Sequence, residues 1–234
     1  MTGAPLSRRL LAELLGSAFL AAVVIGSGIA AQRLSPGDTG LQLLENAGAT
    51  AAGLYTIILM FGPVSGGHFN PVVSLADAHF GGLRRSHALA YIPAQLAGCI
   101  LGAVVANAMF AKAAISISGK HRGSPSHVFA EVVATLGLVI LIFSLARTKR
   151  IASAPAAVGA YIGAGYFFTS STSFANPAIA VGRMFSNTFA GIAPAGVPAF
   201  VVAQLVGGIV GVLVIRALYP DVSAADAAEV VLPH

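Results

Sequence analysis

Only one cysteine, Cys99, occurs in the 234 residues, which excludes an internal disulfide and any thiolate metal cluster and leaves that residue as a small buried hydrophobe. The six histidines, at 68, 79, 87, 121, 127 and 234, are too scattered to supply a ligand set in its place. No metal, no cofactor and no catalytic constellation is therefore expected. Charge is equally scarce, at 9% of residues against 56% hydrophobic, with a mean hydropathy of +0.85. Several apolar runs are long enough to cross the roughly 30 Å hydrocarbon layer at about 1.5 Å per helical residue, so the chain reads as an integral membrane protein. A net charge of +5 would suggest nucleic acid in a soluble chain. Here the basic residues sit in short links between spans, where they set topology, and no nucleic-acid partner is expected.

Six spans are expected, at 10–31, 47–62, 88–111, 128–146, 151–169 and 197–215. The first follows Arg8 and Arg9 but is too long for a signal-peptide core and lacks a small-residue cleavage site, so it reads as a retained span. With both termini cytoplasmic, the inner links and tails carry Arg8, Arg9, Arg84, Arg85, Arg147, Lys149, Arg150 and Arg216. The outer ones carry Arg33, Lys112, Lys120, Arg122 and Arg183. This bias supports that orientation, in a multi-pass protein of the cell's inner membrane. Residues 32–45 read as an ordinary outer connector and 112–127 as a solvated, turn-rich linker. In the tail, Ser223 is placed to cap a short helix over 224–229.

An internal repeat organises the chain. Pro93 to Val105 aligns without gaps on Val202 to Val214, both containing Ala-Gln-Leu and a Gly-x-x-x-Gly pair, Gly98 with Gly102 and Gly207 with Gly211. Ala12-Glu13 matches Ala130-Glu131, and Asn70-Pro71 matches Asn176-Pro177. The expected organisation is a single membrane domain over 1–234: repeat one 8–111, linker 112–126, repeat two 127–218 and tail 219–234. Three spans per repeat is an odd number, so the second copy enters the membrane inverted relative to the first. The paired glycines let helix backbones approach closely.

Two Asn-Pro pairs stand where chance would supply roughly 0.26, given ordinary usage. Asn caps free N–H groups and Pro suits the first helical position, so each pair starts a helix. The nine residues from Pro71 to His79 and from Pro177 to Phe185 would each span about 13.5 Å, half a membrane. The irregular backbone before them, including Gly66, Gly67, His68 and Phe69, survives at membrane depth only when buried in protein or lining a wet cavity. Its carbonyls would then be acceptors for a permeating solute, and the Asn70 and Asn176 amides donors. The converging helix starts repel cations and protons. Glu13 and Glu131 read as fixed acceptors for loop N–H groups, with a proton relay as the alternative. Inverted repeats also serve ion-coupled secondary transporters, which remain a second functional class beside a passive channel.

The Ala-Glu pairs, Ser65-Gly-Gly-His-Phe-Asn-Pro71, Asn176-Pro-Ala178 and the two Ala-Gln-Leu repeats together resemble the aquaporin, or major intrinsic protein, family over about 8–219. That resemblance implies an all-α fold of six transmembrane helices plus two re-entrant half-helices in an inverted repeat. It further implies a pore in each subunit of a homotetramer, a lipid bilayer as surroundings and passive flux of small neutral solutes. Val72 replaces the family's usual Ala and is expected to press on Pro177. The family's spacing assigns the outer constriction to Thr50, Ala164, Ser173 and Ile179, where Ile179 stands in place of the usual Arg. Arg183, four residues on, is expected to point elsewhere. Thr, Ala, Ser and Ile would form a wide, arginine-free ring suited to glycerol-like polyols and neutral metalloid hydroxides such as arsenous acid, with water also passing. A water-selective pore is the alternative. The run 176–192 resembles the arginine-less bacterial aquaglyceroporins associated with arsenic resistance.

Overall fold

The structure, a computed structural model, describes residues 4–220. The tail helix expected after Ser223 lies outside the described residues. The secondary structure among those residues is helical throughout: α1 Leu6–Leu34, α2 Thr39–Ser65, α3 Pro71–Phe80, α4 Arg85–Met109, α5 Pro125–Arg147, α6 Ala154–Phe168, α7 Pro177–Gly182 and α8 Val197–Leu218. Short 3₁₀ turns precede α6 and α8 and follow α7. Six of these segments are long and apolar enough to cross a membrane, and α3 and α7 are the two re-entrant half-helices of an inverted repeat.

Local chemistry sets the boundaries. Asp38 caps α2 by accepting from the Leu41 amide, so the outer connector expected over 32–45 shrinks to 35–38. The Gln42 side chain closes that turn by donating to the Ser35 carbonyl at 2.8 Å. Asn70 accepts from Val72 N at 2.9 Å, and Asn176 accepts from Ala178 N and Ile179 N, each with proline at the first helical position. The expected nine-residue second half-helix is six α-helical residues, and Arg183–Phe185 tighten into a 3₁₀ turn.

Small residues set the helix spacing. A Cβ at Gly102 would fall 2.1 Å from the Ala18 carbonyl oxygen, so α4 lies directly against the α1 backbone. Val72 has a pocket of its own. It packs with Ala76, Val139 and Phe143, and a Cβ on Gly208 would fall 2.4 Å from its Cγ1. Gly208 of α8 thus makes the room that the extra methyl groups of Val72 need.

Most of the linker is exposed, as expected, but two of its side chains turn inward. Ser118 and Arg122 are buried, and the segment pairs with the stretch after α7: Ser116 N donates to Phe185 O, Ser118 N to Met184 O, and Ala193 N to Lys120 O. Large apolar side chains such as Leu89, Phe129 and Ile209 face outward, which suits a lipid surround. Cys99 is fully buried where α4 meets Gly182 and lies off the central cavity. Membrane-permeant thiol reagents are therefore expected to leave transport unchanged and to label Cys99 only after denaturation. Mass spectrometry checks this, and quantitative labelling of the native protein would contradict the burial.

Candidate functional site: a central cavity closed by two opposed loops

Each half-helix is preceded by a loop with left-handed residues that are not glycine: Phe69 (φ 47°), and Thr172, Ser173 and Ala175 (φ 66°, 49° and 48°). Such residues cost on the order of 1–3 kcal/mol each unless the surroundings fix them. The two glutamates do so. Glu13 accepts from the amides of His68 (3.0 Å) and Phe69 (2.7 Å), from Ser65 Oγ (2.6 Å) and from Gln95 Nε2 (2.8 Å). Glu131 accepts from the amides of Phe174 (2.9 Å) and Ala175 (2.8 Å) and from Gln204 Nε2 (2.6 Å). The glutamines of the two Ala-Gln-Leu repeats thus orient the carboxylates, a role unassigned from sequence.

The left-handed turns aim the Phe69 and Ala175 carbonyls across the midplane. Asn70 Nδ2 donates to Ala175 O at 2.7 Å, and Asn176 Nδ2 donates to Phe69 O at 2.8 Å. Each amide has two N–H groups. One of each is thus committed to the opposite loop, and the other remains for a solute.

A cavity lies beside these asparagines. Its wall includes Gly66, Gly67, His68, Asn70, Asn176, Thr50, Ser173 and Ile179, together with the apolar Leu20, Val24, Leu54 and Ile58. Pro71, Val72, Phe69, Pro177 and Ala178 are buried but stand behind the wall rather than on it. The His68 ring is held between Ser74 Oγ at 3.1 Å and Asp77 Oδ2 at 3.4 Å.

The cavity wall differs at two positions from what the expected outer ring implies. Ala164 is exposed on the outer face of α6. Two residues on, and so on the opposite side of the helix, Tyr166 lines the cavity and shares a 3.0 Å hydrogen bond with Thr50 Oγ1. The spacing of twelve residues before Asn176 therefore does not hold in this chain.

Arg183, expected to point elsewhere, also lines the cavity and is only 2% exposed. A residue four positions after Ile179 on a helix occupies the same face, one turn or roughly 6 Å farther along. That spacing was the available signal. Its Nε donates to the Ala190 carbonyl, and its guanidinium lies 3.4 Å from the Phe174 ring centroid.

Arg122, from the linker, is a second buried arginine that the sequence did not mark. It donates to Gly191 O (3.0 Å), Ser171 O (3.2 Å) and Phe189 O (3.3 Å), clamping the loops on both sides of α7. Burial disfavours its charge and holds its pKa below the ordinary arginine value, with nearby Tyr166 and Glu131 acting in the opposite direction.

Three comparisons bear on this geometry. The family described as "Major intrinsic protein" matches residues 1–183. The chain is 46% identical over 211 residues to the aquaglyceroporin AqpS of Rhizobium meliloti (strain 1021), covering 90% of each sequence. It is 30% identical over 182 residues to human aquaporin-9, covering 67% of this chain and 61% of that one. Among solved structures, the X-ray structure of the aquaglyceroporin from Plasmodium falciparum superposes with a TM-score of 0.72 at 20% identity, covering 92% of this chain and 98% of the other.

Proposed function

The chain belongs to the major intrinsic protein family, and from that premise we propose that it is a passive channel for small neutral solutes of the glycerol class. Water and neutral metalloid hydroxides such as arsenous acid are further solutes in this reading. The observation that carries it is the joining of the two asparagines to one apolar-walled cavity through reciprocal bonds, with one amide N–H of each left over.

A solute crossing that cavity meets donors at the two asparagines and at Arg183, hydroxyls at Thr50, Tyr166 and Ser173, and apolar surface between them. Polyols match this alternation, because their hydroxyls need partners while their carbon edges do not. The positive helix starts and Arg183 oppose cations and protons. Glu13 and Glu131 are fully committed to loop amides, which favours a passive pore over a proton-coupled carrier. Assembly as a homotetramer in the inner membrane, with both termini cytoplasmic, belongs to the same proposal, supported by the distribution of basic residues between the two sides.

Stopped-flow light scattering on proteoliposomes tests the reading. Glycerol permeability is expected well above that of empty vesicles, and arsenite uptake in cells lacking their own channels is expected to rise alongside it. Arg183→Leu removes donors from the constriction and is expected to lower glycerol flux about tenfold while sparing water, in line with loss of a charged hydrogen bond. Permeabilities equal to those of empty vesicles for glycerol, urea and water would dismiss the channel.

A further inference from the structure

We propose that the outer mouth of the cavity binds a small monoanionic oxyanion, held by Arg183 on the cavity side and Lys120 on the linker side, with the Arg122 charge behind them.

Three cationic side chains gather around Phe174 and Phe189, and of them Arg183 stands on the cavity wall. Arg122 and Arg183 both lie on the Phe174 ring, with guanidinium carbons 5.3 and 3.4 Å from its centroid. Lys120 Nζ and Arg122 Nη2 donate to the same carbonyl, that of Phe189, at 2.8 and 3.3 Å. Buried charge is costly without a counter-charge. Yet among the described residues no carboxylate lies within 4.0 Å of any of the three, the one such pair being His68 with Asp77. Glu131, the acidic group felt by both arginines, is committed to loop amides.

The three cations differ in what they can still do. Arg122 spends its donors on loop carbonyls and contributes charge. The Arg183 side chain makes one hydrogen bond to the protein, through Nε, and the residue borders the cavity. A planar guanidinium fork fits an oxyanion better than a spherical halide. Lys120 is partly exposed and free to turn a second N–H toward an anion.

A single charge suits the site, because a larger anionic charge would pay more to leave water at an apolar-walled entrance. Burial, then Arg122 and Arg183, lower the Lys120 pKa from its ordinary value to about 8. The group is charged below that value and neutral above it. Anion affinity is therefore fully present near pH 7 and weakens as pH rises through about 8. The charged groups facing Lys120 are Arg122 and Arg183, with His121 adjacent in the chain.

The binding itself does not need the conduit reading; an effect on flux rests on it. Nitrate is the probe and gluconate, a much bulkier monoanion, the control at equal ionic strength. For the purified full-length protein, nitrate is expected to raise the melting temperature saturably, as a ligand of the folded state does. Lys120→Gln and Arg183→Leu are each expected to raise the half-saturating concentration about tenfold or more. A pH of 9 is expected to weaken the shift. In proteoliposomes, external nitrate is expected to slow glycerol with the same half-saturation.

No saturable shift, or one unchanged in both variants, overturns the proposal. A shift that leaves an active glycerol flux untouched also overturns it, since the anion then sits away from the mouth. Absence of glycerol flux in gluconate instead removes the conduit reading, and the melting measurement alone then decides the anion site.

Discussion

Replacing Glu131 with leucine is expected to abolish measurable transport and to cost most of the folded yield. The carboxylate is fully buried and accepts three hydrogen bonds, from Phe174 N, Ala175 N and Gln204 Nε2. Leucine removes the acceptor and strands three buried donors, at about 1–3 kcal/mol each. The sum is a large share of a typical stability of about 5–15 kcal/mol. It also frees a loop that holds left-handed backbone at Thr172, Ser173 and Ala175. Glu131→Gln retains one acceptor oxygen but turns an NH₂ toward N–H donors, so an intermediate loss is expected. Size-exclusion yield and flux per folded molecule separate the two effects. A leucine variant with ordinary yield and flux would show that the loop is fixed by something else.

The second large effect is expected from Gly102→Val. Its Cβ would come 2.1 Å from the Ala18 carbonyl oxygen and 2.8 Å from the Ala21 Cβ, so α1 and α4 would have to part. Neither obstacle is the end of a flexible side chain. The cost belongs at or above the upper end of the roughly 1–3 kcal/mol seen for overpacked cores. Gly48→Ala is the matched control, because a Cβ there meets nothing within 4 Å. Folded yield of the two variants in detergent is the measurement. Equal yields would mean that α1 and α4 are not so tightly apposed.

The architecture was legible because it rests on local chemistry and on repetition. Asn-Pro starts a helix wherever it stands, and a duplicated pattern with three spans per copy forces the inversion. The cavity lining was less legible because its residues come from several separate elements whose relative register no local rule supplies. At α6 an assumed spacing selected Ala164, whereas Tyr166 faces inward. At α7 the expectation that Arg183 points elsewhere ignored the helical period, which puts it on the same face as Ile179. Val72 and Gly208 are neighbours 136 positions apart, and Arg122 in its turn-rich segment has loop partners 49 to 69 positions away. Such partners depend on tertiary packing, which composition does not disclose.

The crossed bonds between Asn70 and Ala175, and between Asn176 and Phe69, have a consequence in time. Synthesis delivers the first loop to the membrane about a hundred residues before its partner exists, so its amide and its outward-turned carbonyl must wait for the other half. Until residue 176 has been added and inserted, neither side of the crossing is complete. The lining of the passage is thus finished only when the seal around it is, and a prematurely terminated chain is left without a pore rather than with a leak.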